Sequence, residues 1–360
     1  MQHLAETRID LKAAEANLAS IRQRIKRDTD VMVMIKGDAY GHGAVELGRL
    51  YQNLTIKKFG VAHVEEGIEL RKAGIQGDIL VLQPGFHFNL ESYQKWRFEA
   101  VLNSVEDLEY LSPDKRVPLH IMVDTGMGRE GMLPGDVNRV LERAGSLNLK
   151  GIATHFARAD EGDLGPARRQ LETFEEVLRT LPEALRQKLI VHAANSGGII
   201  NLPESHFNMV RPGISLFGLY SGHGEIKQAP VMSVHARLVL KKRLPEGSPI
   251  GYGGIFVTPR EMTVGVLSVG YADGVQRALG NRSHVWFKDV AFKILGRVSM
   301  DQIVIDLSPL EELKLGSWIT LWSGGRGEDS SLFSNADFLE TITYERSCQI
   351  GMMRLPRVYK

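Results

Sequence analysis

Apolar residues in the first part of the chain fall in short unbroken runs rather than in alternation. VMVMI (31–35) is the clearest, and KKFGVAHV, DILVLQP, EAVLNS, VPLHIMVD, LKGIATHF, KLIVHAANS and FNMVRPGISLFGLY follow it. Unbroken apolar runs predict strands buried on both faces, as in a parallel sheet. Between them lie helical patterns: AVELGRLYQNL, EEGIELRKAG closed by Gly74, a segment around Leu90–Trp96, VEDLEYL, Asp136–Ala144, RRQLETFEEVLRTL and the short GGIINL. Ahead of them, Arg8–Ile25 puts Leu11, Ala14, Leu18 and Ile21 on one helical face. Strands and helices alternating eight times predict an α/β fold, a (β/α)8 TIM-type barrel over residues 10–220.

From about Ser221 the pattern changes. VMSVHARLVLKKRL, MTVGVLSVG, HVWFKDVAFKILGRVSM and SWITLW are β-type runs bounded by PEGS, GYGG, GNRS and GGRGEDSS, with no crossover helix between them. They predict a mostly antiparallel β domain over residues 221–360, which residues 1–9 are expected to join. One short helix is expected in ADFLETITYERSCQIG.

The polar residues that interrupt the apolar runs suggest chemistry. Lys36, Arg129, His155, Asn195, Ser196 and Arg211 all fall at or just beyond predicted strand ends, the face on which barrel enzymes build their sites. Lys36 stops the VMVMI run, and Gly37, Asp38, Gly41 and Gly43 mark a tight loop after it. A partly desolvated lysine there can lose its proton near neutral pH and serve as nucleophile or base. The plainer alternative is a lysine that reaches out to solvent. Gly213 and Ile214 after the last strand, with the helix start after Ser196, form an anion cradle of backbone N–H groups. A cradle and a lysine together suit pyridoxal phosphate. A sugar phosphate is the other ligand for such a cradle, but it leaves Lys36 and the β domain without a task.

Composition narrows the classes. The 360 residues carry 44 basic and 43 acidic side chains, which argues against nucleic acid or an anionic membrane as partner. The single cysteine, Cys348, excludes an internal disulfide and suits a reducing compartment. The N-terminal stretch has no apolar core of a signal peptide, and no run is long enough to span a bilayer, so a cytoplasmic protein is expected. No histidine–carboxylate spacing suggests a metal, and His63, His192 and His206 read as structural donors.

KGDAYGHG, VDTGMGREG, THFARAD, HAANS, MVRPGISLFGLY, GYGG, SVGYADG, GRVSMDQ and TITYE occur in this order. In order and spacing the chain resembles the alanine racemases, fold-type III pyridoxal-phosphate enzymes, from about residue 5 to the closing RLPRVY. The resemblance implies that Lys36 holds pyridoxal 5'-phosphate covalently and that Tyr40, Ser196, Gly213, Ile214 and Tyr344 bind its phosphate. It puts His155 and Asn195 at the cofactor and Arg211 at the ring nitrogen. A guanidinium only donates, so that nitrogen stays unprotonated and the ring is a weaker electron sink, which favours reprotonation at Cα.

The same resemblance makes Lys36 one base of a racemase and Tyr252, from the second subunit of a homodimer, the other. His155, linked to Arg211, resembles the group through which the family supports that tyrosine. Arg129 and the Met300 backbone N–H would bind the substrate carboxylate, and Tyr271 and Tyr344 would narrow the mouth. Asp160, Arg277, Arg297 and Ile342 resemble the lining of the entry corridor. The implied substrate is a small amino acid, alanine first and serine next. A fold-type III decarboxylase is the rival of another reaction class. It uses an acidic group where Arg211 stands and a cysteine that Cys348 does not match. A cofactor-carrier protein would lack the β domain.

Three positions depart from the family pattern. Met122 stands where many members carry a carbamylated lysine, Ser299 where cysteine is common, and Glu130 where an apolar residue is usual. Without the carbamate, Arg129 needs another orienting group: an inorganic anion such as chloride, a nearby carboxylate, or only cofactor and substrate. The anion is the expectation, because Glu130 would point away from Arg129 if the segment were extended.

Overall fold

The computed structural model describes residues 3–111 and 117–360. A first strand, β1 (Ala5–Ile9), precedes a helix over Leu11–Arg22. The sequence pattern extended that helix back to Arg8. Arg8 and Ile9 instead pair in a sheet, and the Asp10 carboxylate accepts the Ala13 N–H at 2.9 Å, which starts the helix after it.

Eight parallel strands then close a barrel: β2 (Asp30–Met34), β3 (Lys58–Val61), β4 (Asp78–Val81), β5 (Phe98–Leu102), β6 (Leu119–Met122), β7 (Leu149–Ala153), β8 (Ile190–His192) and β9 (Met209–Val210). Pairing of Val31 with Val210 completes the ring. The strands are short and almost wholly buried, as their unbroken apolar runs required. Met32, Met34, Leu80, Val101, Met122, Ala153 and Met209 fill the interior as one cluster. Flexible thioethers suit so irregular a space. At Gly60 a Cβ would stand 2.4 Å from the Met34 methyl carbon, so the glycine makes room for that side chain. Outside the barrel, the helix Gly165–Thr180 turns Ala167, Leu171, Phe174, Val177 and Leu178 inward at helical spacing.

The remaining strands are β10 (Met232–Leu244), β11 (Pro249–Ile250), β12 (Phe256–Val257), β13 (Met262–Leu267), β14 (His284–Phe287), β15 (Val290–Leu295), β16 (Ile303–Asp306), β17 (Trp318–Trp322) and β18 (Arg357–Tyr359). Their main sheet runs β13-β16-β15-β14-β17-β10-β1-β18, and β10 also pairs with β13. The long β10 does both with different parts of its length, pairing with β17 over Val234–Arg237 and with β13 over Leu238–Leu244. All these pairings are antiparallel except β1 with β18. The closing segment holds two short helices, Leu332–Phe338 and Thr343–Gly351, where the sequence suggested one. Glu340 at a φ of 54° and an extended Ile342 break the run between them.

The chain divides into two compact units. One holds residues 15–216 and 222–228; the other holds the stretch up to Ala14 with residues 217–221 and 229–360.

Candidate functional site

Ile35 continues β2 by donating its N–H to the Gly60 carbonyl, and Lys36 follows at the strand's carboxyl end. The chain then makes a left-handed turn, with Gly37, Asp38, Ala39 and Tyr40 at φ values from 52° to 60°. Left-handed helical geometry costs L-residues about 1–2 kcal/mol each, so the turn needs outside support. Glu66 supplies it: one carboxylate oxygen accepts the Gly37 N–H at 2.6 Å, and the other accepts the N–H groups of Ala62 and His63. Asp38 accepts the Ala44 N–H at 2.7 Å, and His42 Nδ1 donates to the carbonyls of Ala39 and Tyr40. This turn brings the Tyr40 hydroxyl to Gly213, where a Cβ would lie 2.4 Å from it. Any other residue at position 213 would displace that hydroxyl.

Lys36 is half-buried, and burial pulls its ammonium below the ordinary lysine value. The positive charges of Arg129 and Arg211 act the same way, against Glu130 and Glu66. Part of the population therefore carries a free amine nearer to neutral pH than an exposed lysine would.

Two short helical starts lie beside the turn, Ser196–Asn201 and Ile214–Phe217. The Ser196 hydroxyl joins them, accepting the N–H of Gly213 at 3.1 Å and of Ser215 at 3.3 Å. Asn195 caps the first helix through the Gly198 N–H and donates to the Phe156 carbonyl. A hydroxyl that bridges backbone donors, a tyrosine hydroxyl and a glycine without Cβ make a donor set that suits a phosphate. Lys36 suits the carbonyl carbon of the same ligand. The residues present thus fit pyridoxal phosphate. Among the described residues, no cluster of histidine, cysteine and carboxylate side chains is arranged to hold a metal.

Arg211, at the end of β9, is buried and donates through both terminal nitrogens: to His192 Nδ1 (2.7 Å), to the carbonyls of His192, Thr154 and Ala193, and to His155 Nδ1 (3.2 Å). Burial pushes its guanidinium down to about 10. His155 is held neutral well below the ordinary histidine range by burial and by Arg211, Lys36 and Arg129. Gln170 fixes its backbone, donating to the His155 carbonyl at 3.0 Å and accepting the Ala157 N–H.

Arg129 leaves the barrel on a glycine loop. Asp124 organises that loop, its carboxylate accepting the N–H groups of Gly126, Met127 and Gly128 at 2.9–3.1 Å. Burial raises the Asp124 pKa, but these three donors outweigh it and hold the carboxyl below its ordinary value. The segment is not extended, so adjacent side chains converge. Glu130 lies 3.5 Å from the Arg129 guanidinium, so it points toward Arg129 and not away from it as expected of an extended segment. Met122 belongs to the apolar barrel interior. A recess of about 10 Å³ between Met122, Asp124, Arg129, Glu130 and His155 is at the lower limit for one water molecule.

In the β unit, Tyr252 opens a turn between β11 and β12 and is 71% exposed. Glycines at 251, 253 and 254 all take positive φ there. Gly270 packs so closely on the Ser299–Met300 backbone that a Cβ would meet the Ser299 oxygen at 2.3 Å. The Tyr271 N–H accordingly donates to the Ser299 carbonyl, and Ala272 to that of Met300, which sets Tyr271 beside Met300. Tyr344 sits in the first turn of the helix Thr343–Gly351.

Sequence reading did not single out Glu66, Asp124 and Gln170, and took His192 for an ordinary structural donor. Asp124 alone left a usable sign, because an aspartate just before a Thr-Gly-x-Gly run favours side-chain bonds to the backbone ahead of it.

The chain matches the family profile described as alanine racemase, N-terminal domain over residues 9–221 and that described as alanine racemase, C-terminal domain over residues 231–359. The alanine racemase of Nostoc sp. is 35% identical over 366 residues, covering 97% of this chain and 94% of its own length. That of Carboxydothermus hydrogenoformans is 36% identical over 367 residues, covering 96% and 98%. Among solved structures, an alanine racemase of Clostridium difficile matches with a TM-score of 0.93 at 30% identity, over 100% of this chain and 96% of its own. The alanine racemase of Bartonella henselae, solved with covalently bound pyridoxal phosphate, matches with a TM-score of 0.88 at 29% identity over 100% of both.

Proposed function

The chain belongs to the alanine racemase family, and on that premise we propose that it interconverts L- and D-alanine with pyridoxal 5'-phosphate held on Lys36. The observation that carries this reading is the half-buried Lys36 at the carboxyl end of β2, set on a turn whose Tyr40 hydroxyl meets Gly213 of the anion cradle. Bound there, the cofactor supplies an electron sink for charge that develops at the substrate Cα.

The protein's own groups do the rest. Tyr40, Ser196, Gly213 and Ile214 hold the phosphate, with Tyr344 as a further phosphate ligand. His155 and Asn195 line the ring. Arg211 has both terminal nitrogens engaged, which among the described residues leaves its Nε–H as the donor toward a ring nitrogen. A guanidinium keeps its proton, so that ring nitrogen is only an acceptor. Once the substrate amino group takes its place on the cofactor, the released Lys36 Nζ takes or returns a proton at Cα on one face, helped by the lowered pKa of its ammonium. The Tyr252 hydroxyl does the same on the other face. Arg129, the Met300 N–H and Tyr271 position the amino acid through its carboxylate and limit its size.

The high exposure of Tyr252 and of its neighbours Ile255 and Val257, and of Met300, Ile342 and Met352, supports a homodimer in which the β unit completes the partner's site. The test is incubation with L-alanine, chiral analysis of the product and a check for carbon dioxide. D-alanine should accumulate to an equal mixture without gas release, and borohydride should fix the cofactor on the peptide that contains Lys36. Carbon dioxide release, or a label on another lysine, refutes the proposal.

A further inference from the structure

A line of buried polar groups crosses the barrel interior behind the site. Arg211 Nη1 lies 2.7 Å from His192 Nδ1, His192 Nε2 lies 2.9 Å from His120 Nδ1, and His120 Nε2 lies 3.1 Å from Glu99 Oε2. All four residues are less than a tenth exposed. The two ends set the direction, since a guanidinium only donates and an ionised carboxylate only accepts. His192 Nδ1 must therefore accept, its proton sits on Nε2, and that proton goes to His120 Nδ1. His120 in turn donates its Nε2–H to Glu99. Turning either ring over would set donor against donor.

The path is built into the sheet. His120 is on β6 and His192 on β8, with β7 between them. Gly151 of β7 lies opposite His120 in register, and a Cβ there would stand 2.3 Å from His120 Nδ1. Only a glycine lets the imidazole cross β7 and reach His192. Burial pushes the Glu99 carboxyl up, but the His120 hydrogen bond, with lesser help from the positive charge around it, outweighs this and holds the carboxyl below its ordinary value, so the group is ionised.

Arg211 is a buried cation whose direct partners are carbonyl oxygens and neutral imidazoles. A buried charge without a counter-charge is strongly unfavourable. We infer that Glu99 and His120 are positioning residues for Arg211, Glu99 supplying its counter-charge through two rings of fixed tautomer so that the guanidinium keeps one orientation at the site. This rests on the reading above that Arg211 faces the cofactor.

The test uses histidine-labelled and arginine-labelled full-length protein, with and without pyridoxal phosphate, and nitrogen NMR. In the wild type, His120 and His192 should both be neutral with the proton on Nε2, and the Arg211 guanidinium signals should be sharp. Glu99→Gln removes the charge, and Gly151→Ala pushes His120 off its path. Each should alter the His120, His192 and Arg211 signals and lower kcat about tenfold, the scale of one charge-assisted hydrogen bond, with KM for alanine nearly unchanged. A proton on Nδ1 of either ring in the wild type overturns the inference, even if neither variant folds. So do variants with wild-type signals and wild-type kcat. If the wild type does not racemise alanine, the functional reading fails, while the ring and guanidinium signals still decide the relay.

Discussion

Gly213 is a residue whose missing side chain does the work. Because a Cβ there would meet the Tyr40 hydroxyl at 2.4 Å and its Cζ at 3.0 Å, Gly213→Ala must push the ring out of the cradle. Overpacking of this kind costs about 1–3 kcal/mol, so affinity for pyridoxal phosphate should fall roughly tenfold to a hundredfold. Titration of the apoprotein followed by visible absorbance measures it, and an unchanged affinity would separate Gly213 from the cradle. Gly213 was legible in the sequence, as were Lys36 and Arg211, because each interrupts or follows an apolar run. Glu99 and His120 were not. They lie within such runs, and what joins them is the register across β5, β6, β7 and β8, which no local pattern records.

At the scale of elements, the loop from Asp124 to Gly131 decides where Arg129 stands. The Asp124 carboxylate replaces regular structure there by holding three successive N–H groups. Asp124→Ala should loosen the loop, raising KM for alanine severalfold while cofactor binding is unaffected; steady-state kinetics beside a cofactor titration checks both. The carboxyl is held below its ordinary pKa. Its contribution is therefore complete above that ordinary value, near 4, and is lost as pH falls below it through the depressed value. The difference in thermal stability between wild type and variant should shrink across that range. The strands and most helices of the barrel could be read from apolar periodicity, whereas this loop could not. Its conformation comes from one carboxylate and three glycines, and the assumption of an extended segment sent Glu130 the wrong way.

For the whole molecule, the proposed sharing of sites between two chains makes a specific demand. Lys36→Ala and Tyr252→Ala chains, each inactive alone, should recover part of the activity when unfolded and refolded together, because half of the sites in a hybrid dimer are intact. Activity that remains absent in the mixture, or a wild type that stays fully active as a monomer at high dilution, contradicts the shared site. The left-handed turn after Lys36 bears on the history of such a molecule. Four consecutive residues there sit in a conformation that favours the opposite hand of amino acid. Neutral drift at these positions is thereby channelled: glycine, asparagine and aspartate are open to a descendant at position 38, and β-branched residues are closed, whatever the chemistry of the site tolerates. A lineage that changes its substrate can remodel the loops around the turn, but it inherits the turn itself as a fixed point of its sequence.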